Sequence, residues 1–144
     1  MFICLIIDQV IKNILINVLL VGDSIKIIGD FFKITLVLND GAAFSILSNH
    51  VLFLIILSLL VLFILGYYLF KNKNLKNIEY IFYGILSGGI IGNLIDRIIN
   101  GSVIDYLDFN IFGYNFPIFN FADICIVLSM MMLIIIYKDG KDGV

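Results

Sequence analysis

Four apolar stretches, at roughly residues 2–21, 51–70, 78–99 and 120–137, decide what this chain can fold into. Each is close to the ~20 residues that cross ~30 Å of hydrocarbon as a helix. Hydrophobic residues make up 62% of the 144, charged residues 14%, and mean hydropathy is +1.13. A water-soluble domain of this size could not solvate so much Ile, Leu, Val and Phe. Segments in lipid must satisfy their own backbone hydrogen bonds, so the stretches are helices. The chain reads as one domain over residues 1–144, an all-α membrane protein with four transmembrane helices.

The net charge of −2 says little, but the placement of the charges orients the bundle. Lys71, Lys73 and Lys76 lie between the second and third stretches, and Lys138 and Lys141 follow the fourth. The 22–50 connection holds Lys26 and Lys33, and the 100–119 connection has neither Lys nor Arg. Basic loops stay in the cytoplasm, which places both termini inside and Asp40, Asp105 and Asp108 outside. The N-terminus reads as an uncleaved first span, with no charged leader and no small-residue cleavage site. Cys4 and Cys125 read as small packed hydrophobes, too far apart to argue for a disulfide. There is no His/Cys metal spacing, no phosphate-cradling glycine loop and no basic nucleic-acid surface. Neither cofactor nor metal nor nucleic acid is expected.

The connections carry structure of their own. Lys33-Ile34-Thr35-Leu36-Val37-Leu38 is β-prone and ends at an Asn-Asp-Gly turn, which predicts a short strand or hairpin at the outer interface. Residues 100–119 are rich in aromatics and predict an amphipathic segment in the headgroup region. Gly84, Gly88 and Gly92 recur every four residues, with Gly89 beside them, a stripe that lets another helix approach closely.

Ionisable groups in hydrocarbon are costly unless paired or wetted, so those present point to function. They fall in four clusters: Asp8-Gln9 with Lys12, Asn39 through Phe44, Asn93 through Arg97, and the pair Asp105 and Asp123. Asp105 follows the third stretch and Asp123 opens the fourth, so the two carboxylates can meet if those ends face one another. Two carboxyls within about 3 Å share a proton, one acting as base toward water and the other as acid toward a scissile carbonyl. Alternatively each is a solvated interfacial carboxylate or a helix cap. Asn93, Asp96 and Arg97 share a helix face at i, i+3 and i+4. There Arg97 can pair with Asp96 or bind a carbonyl or phosphate; polar glue between helices is the other possibility. Asp8 and Lys12, four apart in acid-first order, read as a structural pair. Asp108 and His50 read as interfacial side chains.

Five motifs in order carry a resemblance: Asp8-Gln9-Val10-Ile11-Lys12, Asn39-Asp40-Gly41-Ala42-Ala43-Phe44, Gly92-Asn93-Leu94-Ile95-Asp96-Arg97, Val103-Ile104-Asp105-Tyr106 and Phe119-Asn120-Phe121-Ala122-Asp123. Together they resemble the lipoprotein signal peptidase (signal peptidase II) family of bacterial membranes, from residue 8 to about 137. The resemblance implies an aspartic endopeptidase that cuts prolipoproteins N-terminal to a diacylglyceryl-modified cysteine. It implies a catalytic dyad at Asp105 and Asp123, and substrate-binding roles for Asn39, Gly41, Asn93, Asp96, Arg97 and Asn120. It also implies an enzyme of the bacterial inner membrane, working on lipid-modified substrates at the outer face and blocked by the cyclic peptide globomycin; a monomer is expected. Asp8 and Lys12 match a mainly structural motif. Two features depart from the family's pattern. Only seven residues precede Asp8, so the first helix is short and tilted or the start is late. Tyr106 stands where Phe is commoner. Two readings compete with the peptidase: a small transporter relaying protons through membrane carboxylates, and an assembly protein using the glycine stripe as a dimer face.

Overall fold

A computed structural model describes residues 1–41 and 47–142 of the chain. The Ala42–Phe44 part of the second motif lies outside the described residues. Four helices, α1 (Phe2–Val18), α2 (Val51–Lys71), α3 (Asn77–Asn100) and α4 (Phe121–Asp142), carry a small sheet at one end of the bundle. The strands β1 (Ser24–Ile28), β2 (Phe32–Asn39), β3 (Val103–Ile111) and β4 (Tyr114–Asn115) are antiparallel in the order β1-β2-β3-β4.

Two expectations need correction. The protein is not all-α: the 100–119 segment is β3 and β4 rather than an amphipathic stretch lying flat. Its β-branched and aromatic start, Val103-Ile104-Asp105-Tyr106, finds a partner in β2, with Val37 opposite Asp105 and Asn39 opposite Val103. That start is buried while the far end of β3 is not. Three helices, α2, α3 and α4, are long and apolar enough to cross a membrane. The fourth, α1, has 17 residues, about 25 Å of rise.

The helices are built inside out relative to a soluble bundle. In α1 the residues that are buried are Asp8 and Lys12, while Phe2, Ile3 and Ile6 face outward. Burying the only charged residues of a helix is tenable because they meet partners on α3, and the apolar surface is left for lipid. The glycine stripe makes this possible. A Cβ on Gly88 would lie 2.7 Å from the Met1 carbonyl oxygen, and one on Gly89 would lie 2.6 Å from that of Ala122. Gly84, Gly88 and Gly92 receive α1, and Gly89 receives α4. The stripe is used within the chain, which removes the observation behind a dimer face. The same approach brings Cys4 and Cys125 together across Gly88 and Gly89, against the expectation that they lie far apart; both are free thiols.

Two connections place the functional ends. Gly101, at φ 68, stops α3 in the left-handed region and turns the chain straight into β3. The Phe119 carbonyl then accepts from the N–H groups of Tyr106 and Leu107 at 3.1 and 2.8 Å, and the Phe119 N–H returns a bond to Leu107 at 3.2 Å. This short pairing holds the start of α4 beside Asp105.

Candidate active site

The first turn of α4 leaves backbone N–H groups that a helix cannot satisfy by itself. Each finds a different partner. Phe121 N–H donates to the Tyr106 hydroxyl at 3.2 Å, Ala122 N–H to Asp8 Oδ1 at 3.0 Å, and Asp123 N–H to Asn120 Oδ1 at 3.0 Å. Asp123 Oδ2 accepts the Asn120 N–H at 3.1 Å in return, which completes a reciprocal capping box. The cap alternative for Asp123 therefore describes its setting. One oxygen works in the cap, and the other accepts Asn93 Nδ2 at 2.7 Å.

Asp105 is 3% exposed. Its Oδ1 accepts Asn120 Nδ2 at 2.7 Å and its Oδ2 accepts Asn39 Nδ2 at 2.9 Å. The two aspartates are thus joined through Asn120, whose side chain reaches Asp105 while its main chain holds Asp123.

Three asparagines aim amide nitrogens at the two carboxylates, and in each the oxygen is pinned by a separate donor. Asn39 Oδ1 takes the Gly41 N–H at 2.9 Å, Asn120 Oδ1 takes the Asp123 N–H, and Asn93 Oδ1 takes Lys12 Nζ at 3.0 Å and Asn120 Nδ2 at 3.0 Å. An amide whose oxygen is engaged in this way has only its N–H groups left to offer. The site is preorganised to face carboxylate oxygens.

Burial pushes the Asp105 carboxyl from its usual 3.8 up to about 6, and the nearby Asp123 charge adds to this. The Asn39 and Asn120 amides and the Lys12 ammonium oppose the rise. Burial likewise raises the Tyr106 phenol.

Asp105 and Asp123 both line an open cavity of about 670 Å³ together with Asn39, Asn93 and Arg97. The remaining walls are mostly apolar, from Ile90 on α3, Ile124, Val127 and Leu128 on α4, and Phe116–Phe119 before it. Arg97 does not pair with Asp96. It donates from Nη2 to the Gly41 carbonyl at 2.9 Å and from Nη1 to the Asn93 carbonyl at 3.4 Å, and its buried Nε has no partner among the described residues. Asp96, Gly41 and Asn120 are not among the residues that line the cavity. Asp96 is bound to Lys12 at 2.8 Å, to the Ile104 N–H at 3.1 Å and to Gln9 Nε2 at 3.0 Å. Asp108, read as an interfacial side chain, accepts the Thr35 hydroxyl at 2.7 Å; His50 is the exposed residue at the N-terminal boundary of α2 and makes no side-chain cap bond there. Among the described residues no group of three or more His, Cys, Asp or Glu is arranged to hold a metal.

Two contributors stand in the sequence motifs but have no role assigned there. The Tyr106 hydroxyl and Gln9 both hold the frame, Gln9 by bridging Asp8, Asp96 and the Gly92 carbonyl. The Asn120-x-x-Asp123 cap was readable, being an Asn followed three residues later by an acid just before an apolar run.

A helical membrane protein with a small sheet at one end and two amide-braced carboxylates on one cavity, Asp105 buried and Asp123 half-buried, is the class that this fold and site define. Comparison with known proteins narrows it. A family profile described as Signal peptidase (SPase) II matches residues 1–138. A protein of Staphylococcus haemolyticus (strain JCSC1435) named "Lipoprotein signal peptidase" is 40% identical over 138 residues, covering 95% of this chain and 87% of its own. Its namesake from Staphylococcus aureus (strain JH9) is 40% identical over 136 residues, covering 94% and 83%. A bacterial membrane enzyme solved by the in meso method at 2.3 Å superposes with a TM-score of 0.91 at 36% identity, covering 99% of this chain and 87% of that one. A second, solved at 1.9 Å, gives 0.84 at 38% identity, covering 94% and 88%. The chain belongs to the signal peptidase II family.

Proposed function

We propose that this protein is a membrane aspartic endopeptidase that removes the signal peptide from diacylglyceryl-modified prolipoproteins, cutting N-terminal to the lipidated cysteine. Its relatives carry the name lipoprotein signal peptidase. The observation that carries the mechanism is that Asp105 and Asp123 share one cavity and are tied together by Asn120. Carboxylates this closely linked, one buried and one half-buried, hold one proton between them more easily than two charges. The ionised member takes a proton from water as it attacks the scissile carbonyl, and the protonated member donates to the carbonyl oxygen. The proton gained from water then passes to the amine nitrogen as the C–N bond breaks, and the collapsing diol returns a proton to the other carboxylate.

The other polar residues bind and orient. Asn39, Asn93 and Asn120 keep both carboxylates facing the cavity, Gly41 fixes Asn39, and the Arg97 fork steadies Gly41. Asp96 supports from behind. The apolar walls suit the hydrocarbon of a signal peptide, whose lipidated cysteine stays in the outer leaflet.

In this reading residues 1–144 form one unit, a monomer whose four helices all span the bacterial inner membrane. The Lys71, Lys73 and Lys76 loop and both termini lie in the cytoplasm, with the dyad at the outer face. Purified protein in lipid should cleave a diacylglyceryl-modified prolipoprotein, be stopped by globomycin, and lose cleavage in Asp105→Asn and in Asp123→Asn. Retained cleavage in either folded variant would move the catalytic role elsewhere. A cysteine placed at Asn74 should react with an impermeant thiol reagent only from the cytoplasmic side.

A further inference from the structure

One buried cation stands behind the dyad. Lys12 is 1% exposed and its ammonium meets three acceptors, Asp8 Oδ2 at 2.8 Å, Asp96 Oδ2 at 2.8 Å and Asn93 Oδ1 at 3.0 Å. An ammonium has three N–H donors, so its capacity is used in full. Each of the three acceptors leads to the dyad by one further bond. Asp8 Oδ1 holds the Ala122 N–H, next to Asp123. Asp96 Oδ2 holds the Ile104 N–H at 3.1 Å, next to Asp105. Asn93 Nδ2 donates to Asp123 itself. Charge pairing accounts for the bonds to Asp8 and Asp96; the bond to Asn93 goes to an uncharged amide whose other end donates to Asp123.

We infer that Lys12 is a positioning residue for the dyad. It pins the Asn93 oxygen so that the amide nitrogen stays on Asp123, and it draws together the two carboxylates that hold the main chain beside each catalytic aspartate. The inference rests on the peptidase reading above. It goes beyond a structural pairing of Asp8 with Lys12, because it gives the lysine an effect on turnover separate from its effect on folding. Without Lys12, the Asn93 amide has one donor fewer at its oxygen and can turn, which presents an oxygen to Asp123 in place of an N–H. Two acceptors then face each other at the reacting carboxylate.

Removing Lys12 alone would strand two buried carboxylates, so the test neutralises the whole cluster. In Asp8→Asn/Lys12→Met/Asp96→Asn the asparagine oxygens can still accept the Ala122 and Ile104 N–H groups, and no buried charge is left in the cluster. Replacing a buried ionic cluster with neutral groups of similar volume is often tolerated. Parent, triple variant and Asp123→Asn are purified in lipid, checked by thermal unfolding, and assayed for cleavage of a diacylglyceryl-modified prolipoprotein. The triple variant should unfold near the parent's temperature and lose roughly 10- to 100-fold in kcat with KM within about twofold, the signature of misplaced catalytic groups. A folded triple variant with the parent's kcat would overturn the inference. So would a triple variant that does not fold, which would assign Lys12 to stability alone. If the parent itself fails to cleave, the peptidase reading falls instead.

Discussion

Two carboxylate pairs lie in this bundle, separated by little more than Asn93, and they have opposite fates. Asp8 and Asp96 enclose an ammonium at 2.8 Å on each side and are sealed at 0% and 2% exposure. Asp105 and Asp123 have amide donors in place of a cation and border an open cavity. Amides orient a carboxylate without neutralising it, so the second pair stays available for proton transfer while the first is fixed. The difference teaches that residue type alone does not mark the acids proposed to be catalytic. What sets them apart is amide bonding, in place of a directly bound cation, beside reachable space.

The comparison breaks most sharply on turnover. Asp105→Asn or Asp123→Asn should cut kcat by about 10³-fold or more with the thermal midpoint little changed, read by prolipoprotein cleavage beside unfolding scans. Lys12→Met alone should show the reverse emphasis. It leaves two buried carboxylates unpaired and should cost about 3–5 kcal/mol of stability, measured by thermal or denaturant unfolding in lipid.

Protonation separates the pairs next. The Asp105 carboxyl is raised from 3.8 to about 6, so the folded protein binds a proton there that the unfolded chain has already released. That contribution to stability is whole below pH 3.8 and is lost as pH rises through about 6. Between pH 4 and 7 the parent should lose on the order of 2–3 kcal/mol relative to Asp105→Asn. Parallel slopes in the two proteins would remove the asymmetry.

Packing gives a smaller effect. Gly89→Ala places a Cβ against the Ala122 carbonyl and should cost about 1–3 kcal/mol while pushing the start of α4, and Asp123 with it, off its mark. Both cleavage rate and melting should register it. The smallest change is Tyr106→Phe, which removes the acceptor for the Phe121 N–H and should cost about 1 kcal/mol. Only a loss of turnover larger than that would tie the phenol to the dyad's geometry.

Much of this was legible from residue order. Apolar length fixed where the helices run, because lipid forbids unsatisfied backbone: α2 and α3 fall within a residue of the stretches read at 51–70 and 78–99. The acid-first spacing of Asp8 and Lys12 anticipated their contact, and the four-residue glycine period anticipated a close approach. The sheet was half legible. Lys33–Leu38 read as β, but the 100–119 segment did not, since its β character depends on β2 lying alongside to accept its hydrogen bonds.

The sequence alone determined the solvent this protein lives in, the course of its helices, and a short list of polar residues too costly in lipid to lack a purpose. It could not rank them, because spacing along one helix says nothing of what stands opposite. Only the tertiary structure put Lys12 between Asp8 and Asp96, turned Arg97 to the Gly41 carbonyl, and left Asp105 and Asp123 bonded to amides on an open cavity. Electrostatic roles are set by distances across the bundle of 3 Å or so, where one intervening ammonium separates a sealed ion cluster from a pair of amide-braced acids.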